Sequence, residues 1–278
     1  MPPKLGQHFL IKGSILERIA AAVCPADEDL VIEIGPGKGA LTEKLLKRAA
    51  RVVAIEVDYE LVDHLRRKFA GEPRLEIVHA DVLQTDLAQW GRAPVAGNLP
   101  YCIASPIIAK TVRLNVPGTV TGDVPGAVTG EVPGAVPGDV PGSLPRAVFL
   151  IQKEVAERLV AQPGDRAYGY LTVQTALFAD VRLLFEVKPG AFAPPPKVDS
   201  AVVLLEPGAR DLGLTGHDAF LRFVGHCFRQ KRKMLRNNLA PIYGKDLIDA
   251  WPESTLRAEK LSLEDFAAMY RRLCEAGC

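Results

Sequence analysis

The chain has 278 residues, 48% of them apolar and 24% charged, with 34 Lys and Arg against 33 Asp and Glu. That length allows one large domain, or one large and one small, and the composition excludes a disordered or fibrous chain. The longest apolar runs, such as 201–205, are far too short to span a bilayer, and residues 1–8 show no apolar secretory core. Five cysteines occur without any Cys-x-x-Cys spacing, and Cys274 and Cys278 have no other Cys or His near them in sequence. Neither a metal site nor a disulfide framework is expected, and free thiols in a reducing cytoplasm are the default. The net charge of +1 hides an asymmetry. Residues 220–238 hold Arg222, Arg229, Lys231, Arg232, Lys233 and Arg236 with no acid, whereas residues 116–145 hold Asp123, Glu131 and Asp139 with no base.

In chain order, short apolar runs at 30–34, 52–57, 75–78 and 147–151 suit strands buried on both faces. Between them lie helical spacings: Leu41 and Leu45, then Leu61, Leu65 and Phe69, and after the last run Val155 and Leu159. Alternation of this kind predicts βαβ units and a parallel sheet. A foreign stretch interrupts it. Val-Pro-Gly recurs at Val116, Val124, Val132 and Val140, a period of eight. Pro lacks a donor and Gly costs backbone entropy, so no helix runs through this repeat. Four such units bury almost nothing, and it reads as a low-complexity insertion over 116–143. Runs at 181–187 and 200–205 follow as strands joined by a Pro-rich connection, which suits antiparallel neighbours. Residues 218–240 and 262–275 read as helices. The expected fold is α/β: a Rossmann-like, mostly parallel sheet with an antiparallel last strand over 1–207, then a small α-helical domain over 208–278.

The first chemical signal is Glu33-Ile-Gly35-Pro-Gly37-Lys-Gly39, which leaves a strand and opens a helix. Glycines let the backbone turn sharply and approach a ligand closely. Glu56 ends the next strand, where an acid accepts from ribose hydroxyls. The spacing Gly-x-Gly-x-Gly favours S-adenosylmethionine over a dinucleotide, which sets aside a nicotinamide-dependent dehydrogenase. Asp81, after the third strand, could accept from the exocyclic amine of the cofactor adenine or simply cap a helix. The fourth strand runs into Gly97-Asn98-Leu99-Pro100-Tyr101. There the Asn98 amide oxygen and a backbone carbonyl, that of Leu99, would accept the two N–H bonds of a planar amine. Pro100 shapes the turn and Tyr101 offers a face on which a base stacks.

These segments resemble the KsgA-type ribosomal RNA adenine dimethyltransferases. The match runs through Gly6-Gln-His8-Phe-Leu10, the glycine turn, Ile55-Glu-Val-Asp58, Ala80-Asp81 and Asn98–Tyr101. It continues through Gln152-Lys-Glu-Val-Ala-Glu-Arg158 and Phe192-Ala-Pro-Pro-Pro-Lys-Val-Asp-Ser200. It covers nearly the whole chain except 115–144. The resemblance implies transfer of two methyl groups to N6 of each of two adjacent adenines near the 3′ end of 16S rRNA. The implied partner is the small ribosomal subunit precursor and the implied setting ribosome biogenesis, with a cytoplasmic monomer as the default. It assigns cofactor contacts to His8, Leu10, Gly35, Gly37, Glu56, Asp81 and Asn98, and an aromatic pair around the target adenine to Tyr101 and Phe192. His8 stands where the family usually has Asn, which opens a pH sensitivity. The insertion falls between a helix and the next strand, an edge opposite the ligands, and is expected to spare the active site.

An exposed basic run, Arg229, Lys231, Arg232, Lys233 and Arg236, is expected on one helix, with Phe223, Cys227 and Met234 or Leu235 facing inward. Beside an RNA-modifying core it reads as a phosphate-binding face, and Lys38 and Lys197 could meet phosphates too. Two other readings stay open: a methyltransferase of the same fold acting on large-subunit rRNA, and an assembly factor whose catalysis is dispensable.

Overall fold

The computed structural model describes residues 8–115 and 144–277, apart from 209, 211 and 215. The Val-Pro-Gly repeat, Gly6 and Gln7 therefore lie outside the described residues. The chain divides into two compact units, Met1–Ala156 with Ala179–Pro207, and Glu157–Phe178 with Gly208–Cys278. The chain passes from the first unit to the second at 207/208, and residues 157–178 group with the helical unit and not with the sheet. Local bonds explain this. Gly164 N–H donates to the Glu259 carbonyl at 2.7 Å, and the Tyr168 and Phe228 rings stand 6.2 Å apart.

The first unit is built on a seven-stranded sheet. Its strands are β2 (Glu28–Ile34), β3 (Ala49–Glu56), β4 (Leu75–His79), β5 (Val95–Asn98), β6 (Ala147–Gln152), β7 (Ala179–Val187) and β9 (Ser200–Pro207). Their order is β4-β3-β2-β5-β6-β9-β7. All pairs from β4 to β6 are parallel, and β9 runs antiparallel to both its neighbours. The reversed last strand thus lies inside the sheet, and β7 takes the edge. A second, two-stranded ribbon pairs β1 (Phe9–Leu10) with β8 (Phe192–Ala193), with Leu10 opposite Phe192. Residues such as Val31, Val52, Val95 and Phe149 are fully buried, as strands covered on both faces require. Four helices accompany them: α1 (Gly13–Val23), α2 (Thr42–Leu45), α3 (Tyr59–Lys68) and α4 (Ala104–Val112). α3 begins at Asp58, whose side chain accepts from Glu60 N–H, and ends in Arg66, Arg67 and Lys68, so both helix poles meet the charge they favour. After α4 the chain reaches Asn115, then re-enters at Leu144, whose N–H donates to Asn115 Oδ1 at 3.2 Å. These flanks precede the N-terminal end of β6.

α5 (Lys153–Val160) crosses the division between the units. The second unit adds α6 (Tyr170–Ala176), α7 (His217–Cys227), α8 (Leu235–Tyr243), α9 (Lys245–Asp249) and α10 (Leu263–Glu275). Its core is aromatic: Phe220, Phe223 and Phe266 are fully buried, and Phe223 lies within 6.4 Å of the Tyr243, Trp251 and Tyr270 rings. α10 starts with a capping box between Ser262 and Asp265. The single helix expected over 218–240 is two helices. A turn over 228–234 separates α7 from α8, and it carries Arg229, Lys231, Arg232 and Lys233, while Arg236 stands on α8. Continuing the helix would stack these cations along it. Instead the buried Asn238 side chain donates to the Cys227 carbonyl at 2.8 Å and to the Gln230 carbonyl at 3.3 Å, closing the end of α7. Leu235 is buried and Met234 is 39% exposed, so Leu235 is the inward residue of the two.

Candidate active site

Strand order decides where a ligand binds. From β2 the chain builds outward through β3 and β4 on one side, and through β5 and β6 on the other. The crevice beyond the carboxyl ends of β2 and β5 is therefore the switch point of the sheet, the usual ligand position in such folds. The glycine turn leaves β2 there and Asn98 ends β5 there. Around them opens a cleft of about 1150 Å³, its mouth included.

Gly35 and Gly37 have φ of +65° and +57°, a region that side chains disfavour. At Gly37 space is short as well, since a Cβ would stand 3.0 Å from Phe9 Cε1. The backbone N–H of Gly37 donates to Glu56 Oε2 at 3.1 Å, so the turn and the acid at the end of β3 form one unit. Glu56 Oε1 accepts from Val57 N–H (2.9 Å) and Asp58 N–H (3.0 Å). Burial raises the Glu56 pKa, and these three N–H bonds oppose it. With two donors on Oε1 and one on Oε2, Oε2 keeps an acceptor position toward the cleft. Asp81 lies across the cleft on the loop after β4. Its Oδ1 accepts from Leu83 N–H at 2.9 Å, so it serves as a local cap while also lining the cleft.

The β1–β8 ribbon forms another wall, carrying His8 and Leu10. His8 Nδ1 stands 2.8 Å from the Pro194 carbonyl. A carbonyl only accepts, so Nδ1 carries a proton and donates to it, which leaves Nε2 as the ring atom turned to other partners. The His8 carbonyl accepts from Asn98 Nδ2 at 3.0 Å. The same logic orients the Asn98 amide: its NH₂ is committed to His8, and Oδ1 is the atom left for another donor. Leu99 is buried, and its N–H donates to the Leu150 carbonyl of β6 at 3.0 Å. Ile103 N–H donates to the Pro100 carbonyl at 3.1 Å, closing the turn. Tyr101 Oη lies 2.8 Å from Ser200 Oγ, and its ring centroid is 5.8 Å from that of His8 at 31°. The two rings already lean on each other, so a base would meet the pair from outside.

One expected site residue is elsewhere. Phe192 is 4% exposed and packs in the core with Leu10, Leu16 and Val187 instead of standing on the cleft wall. Along β8 the side chains alternate, so Phe192 points inward and Ala193 outward. Three participants were not assigned roles from the sequence: Ser200, Pro194 and Glu33. Glu33 is 1% exposed on the cleft wall, and Thr42 Oγ1 donates to its Oε2 at 2.6 Å. Burial raises its pKa to about 7. A charged residue inside an otherwise apolar strand is the signal that could have singled it out.

The cleft gathers the positive-φ turn at Gly37, the anchored Glu56 carboxylate, the Asp81 carboxylate and the Asn98 amide oxygen at the switch point. Close backbone approach beside two carboxylates and an amide oxygen suits a ligand rich in hydrogen-bond donors, as a nucleoside is. On this sheet, that defines the class of S-adenosylmethionine-dependent methyltransferases that modify bases.

Comparison with known proteins narrows the class. The family model described as Ribosomal RNA adenine dimethylase matches residues 2–275, and the chain belongs to that family. It is 38% identical to Ribosomal RNA small subunit methyltransferase A of Acidobacterium capsulatum, covering 98% of this chain and 90% of the relative. It is also similar to the solved dimethyladenosine transferase of Plasmodium falciparum, with TM-score 0.73, 26% identity, and 97% and 98% of the two chains covered. The 23S rRNA methyltransferase ErmE matches with TM-score 0.65, 26% identity, and 96% and 99% covered.

Proposed function

We propose that the chain dimethylates N6 of two adjacent adenines near the 3′ end of 16S rRNA, within a small-subunit precursor. The observation that carries this reading is the orientation of Asn98. With Nδ2 held by the His8 carbonyl, Oδ1 accepts an N6–H of the target base. The Leu99 carbonyl takes the second N6–H. S-adenosylmethionine, when bound, supplies a methyl group already activated on a sulfonium. Gly35, Gly37, Glu56, Asp81, His8 and Leu10 hold it along the cleft. The adenine N6 lone pair is delocalised into the ring and is a poor nucleophile. The two acceptors favour a more tetrahedral nitrogen and stabilise the positive charge that develops on it. Tyr101, fixed by Ser200, gives the base a face to stack on, which supplies the proximity term. The N6 proton becomes strongly acidic on attack and leaves to water, so no strong base is needed. An adenine within a duplex would have to flip out to reach this cleft. Phe192, behind Leu10, supports the ribbon that carries His8.

The helical unit is read as the RNA-binding element. Arg229, Lys231, Arg232, Lys233 and Arg236 are all exposed on the turn and the start of α8. Lys38, which lines the cleft, and Lys197, on the loop after β8, are both exposed and would add phosphate contacts.

The small-subunit substrate is supported by curated relatives of that name at 38% identity over nearly the full chain. The likeness to ErmE supports a second reading, large-subunit RNA. Methyl transfer from labelled cofactor to small subunits lacking N6-methylated adenines, with mass-spectrometric mapping, separates them. Dimethyladenosine at two adjacent positions is expected. Transfer to naked 23S rRNA alone would select the second reading, and binding without transfer an assembly role. Within the enzyme, Asn98→Ala should lower turnover by about 10²–10³-fold. Cofactor affinity should stay within about threefold. Turnover like that of the parent would remove the assigned role.

A further inference from the structure

α4 begins six residues after Asn98 and ends against the insertion flank, and its Lys110 reaches back to the cofactor side of the sheet. Lys110 Nζ donates to the Leu83 carbonyl at 2.8 Å. The N–H of the same residue, Leu83, donates to Asp81 Oδ1 at 2.9 Å. Two further bonds end on the Asp81 carbonyl, from Gln84 N–H at 2.9 Å and Thr85 Oγ1 at 2.8 Å. The loop after β4 is therefore a small closed turn, and its outer side is tied by one cation from another element. Lys110 is half-buried, while Asp81 itself is exposed at the cleft. A half-buried ammonium needs acceptors and nearby negative charge. The Leu83 carbonyl provides the first, and Asp81 and Asp86 provide the second. Burial lowers the Lys110 pKa, and the charges of Asp86 and Asp81 oppose that shift.

We infer that Lys110 is a positioning residue for recognition of the cofactor adenine. It acts through Leu83 on Asp81, by holding the carboxylate with Oδ1 turned into the loop and Oδ2 available to the exocyclic amine. The inference rests on the reading of Asp81 as the amine acceptor. It also gives that acceptor a mechanical link to α4, the helix that starts from the Asn98–Tyr101 turn. A charged donor on a carbonyl contributes more than a neutral one, so losing it should be measurable at the ligand.

The test compares two probes that differ along one edge of the base: S-adenosyl-L-homocysteine, and S-inosyl-L-homocysteine, in which a carbonyl oxygen replaces the amine and N1 carries a hydrogen. Calorimetric affinities are measured for the parent chain, Lys110→Met, Lys110→Gln, Lys110→Arg and Asp81→Ala, with thermal melts as a check of folding. The parent should prefer the adenosyl probe. Lys110→Met should lose about tenfold in affinity for it. Affinity for the inosyl probe should hardly change, and Lys110→Arg should restore most of the preference. Lys110→Gln serves in the same role if the Met variant does not fold. Asp81→Ala should collapse the preference too. If it does so while both neutral Lys110 variants keep the preference, the Lys110 inference falls and the Asp81 reading stands. Equal loss toward both probes would reduce Lys110 to a purely structural residue and overturn the inference. If Asp81→Ala leaves the preference intact, the Asp81 reading fails and the inference with it.

Discussion

Glu33 holds a carboxyl group where water hardly reaches, on the wall of the cleft and bonded by Thr42. Its pKa is about 7 in the folded chain against 4.5 for an ordinary glutamate. Below 4.5 both states hold the proton and the stability that it contributes is fully present. As pH rises, the unfolded chain releases its proton first, so that stability drains away and is lost above about pH 7. Between pH 5 and pH 8 the shift corresponds to about 2.5 kcal/mol. Gln keeps an acceptor for Thr42 Oγ1 and cannot titrate. Glu33→Gln should therefore gain on the parent chain by about that amount between the two pH values. Urea unfolding of both proteins at pH 5 and pH 8 reads it directly, and a pH-independent difference would show that Glu33 does not titrate in this range. At the same scale, Asn98 and Glu56 derive their usefulness from neighbours that fill one of their atoms and leave the other. The residue types were legible in the sequence. The bonds that aim them, to His8, Gly37 and Asp58, join positions up to 90 residues apart and carry no local pattern.

At the scale of elements, β5 is held close to β2. A Cβ on Gly97 would lie 2.7 Å from the Ile34 carbonyl oxygen and 2.9 Å from Leu99 Cδ2. The first is backbone and cannot rotate aside. Gly97→Ala should cost about 1–3 kcal/mol of stability. It should also displace Asn98 and lower methyl transfer well beyond what partial unfolding explains. A melting temperature and activity both like the parent's would mean that the strands separate easily. The buried strands of the sheet and α3 were readable because their apolar spacing is local and strong. The division of 218–240 was not. Hydrophobic periodicity runs on through Phe223, Cys227 and Leu235, and the break depends on Asn238 folding back onto the end of α7. The β1–β8 ribbon was also hidden, since two residues on each side make no period. Without it, Phe192 was expected on the cleft wall and not beneath it.

At the scale of the whole molecule, a net charge of +1 says little about affinity for RNA, because the cations are concentrated. Binding to small-subunit RNA should weaken steeply as salt rises, through release of counterions. Replacing Arg232 and Lys233 together with Ala should reduce the slope of log K against log salt by about 1–2. Cofactor affinity should not respond. An unchanged slope would move the RNA contact away from the basic turn. The inserted repeat is a second whole-molecule feature, since it lengthens the chain without belonging to either unit's pattern. Joining Asn115 to Leu144 through a short Gly-Ser link should leave methyl transfer and cofactor binding within about twofold of the parent, because the flanks precede the N-terminal end of β6. Loss of transfer with an intact fold would mean that residues 116–143 take part in the reaction.

The hydrogen bond between Leu144 and Asn115 also makes this place a port. Its two ends already meet, and they meet before the strand end that faces away from the cofactor cleft. A passenger domain with adjacent termini could be spliced there with little cost in closure. A fluorescent or affinity module carried in that position would travel with the enzyme onto its ribosomal substrate and leave the cleft uncovered.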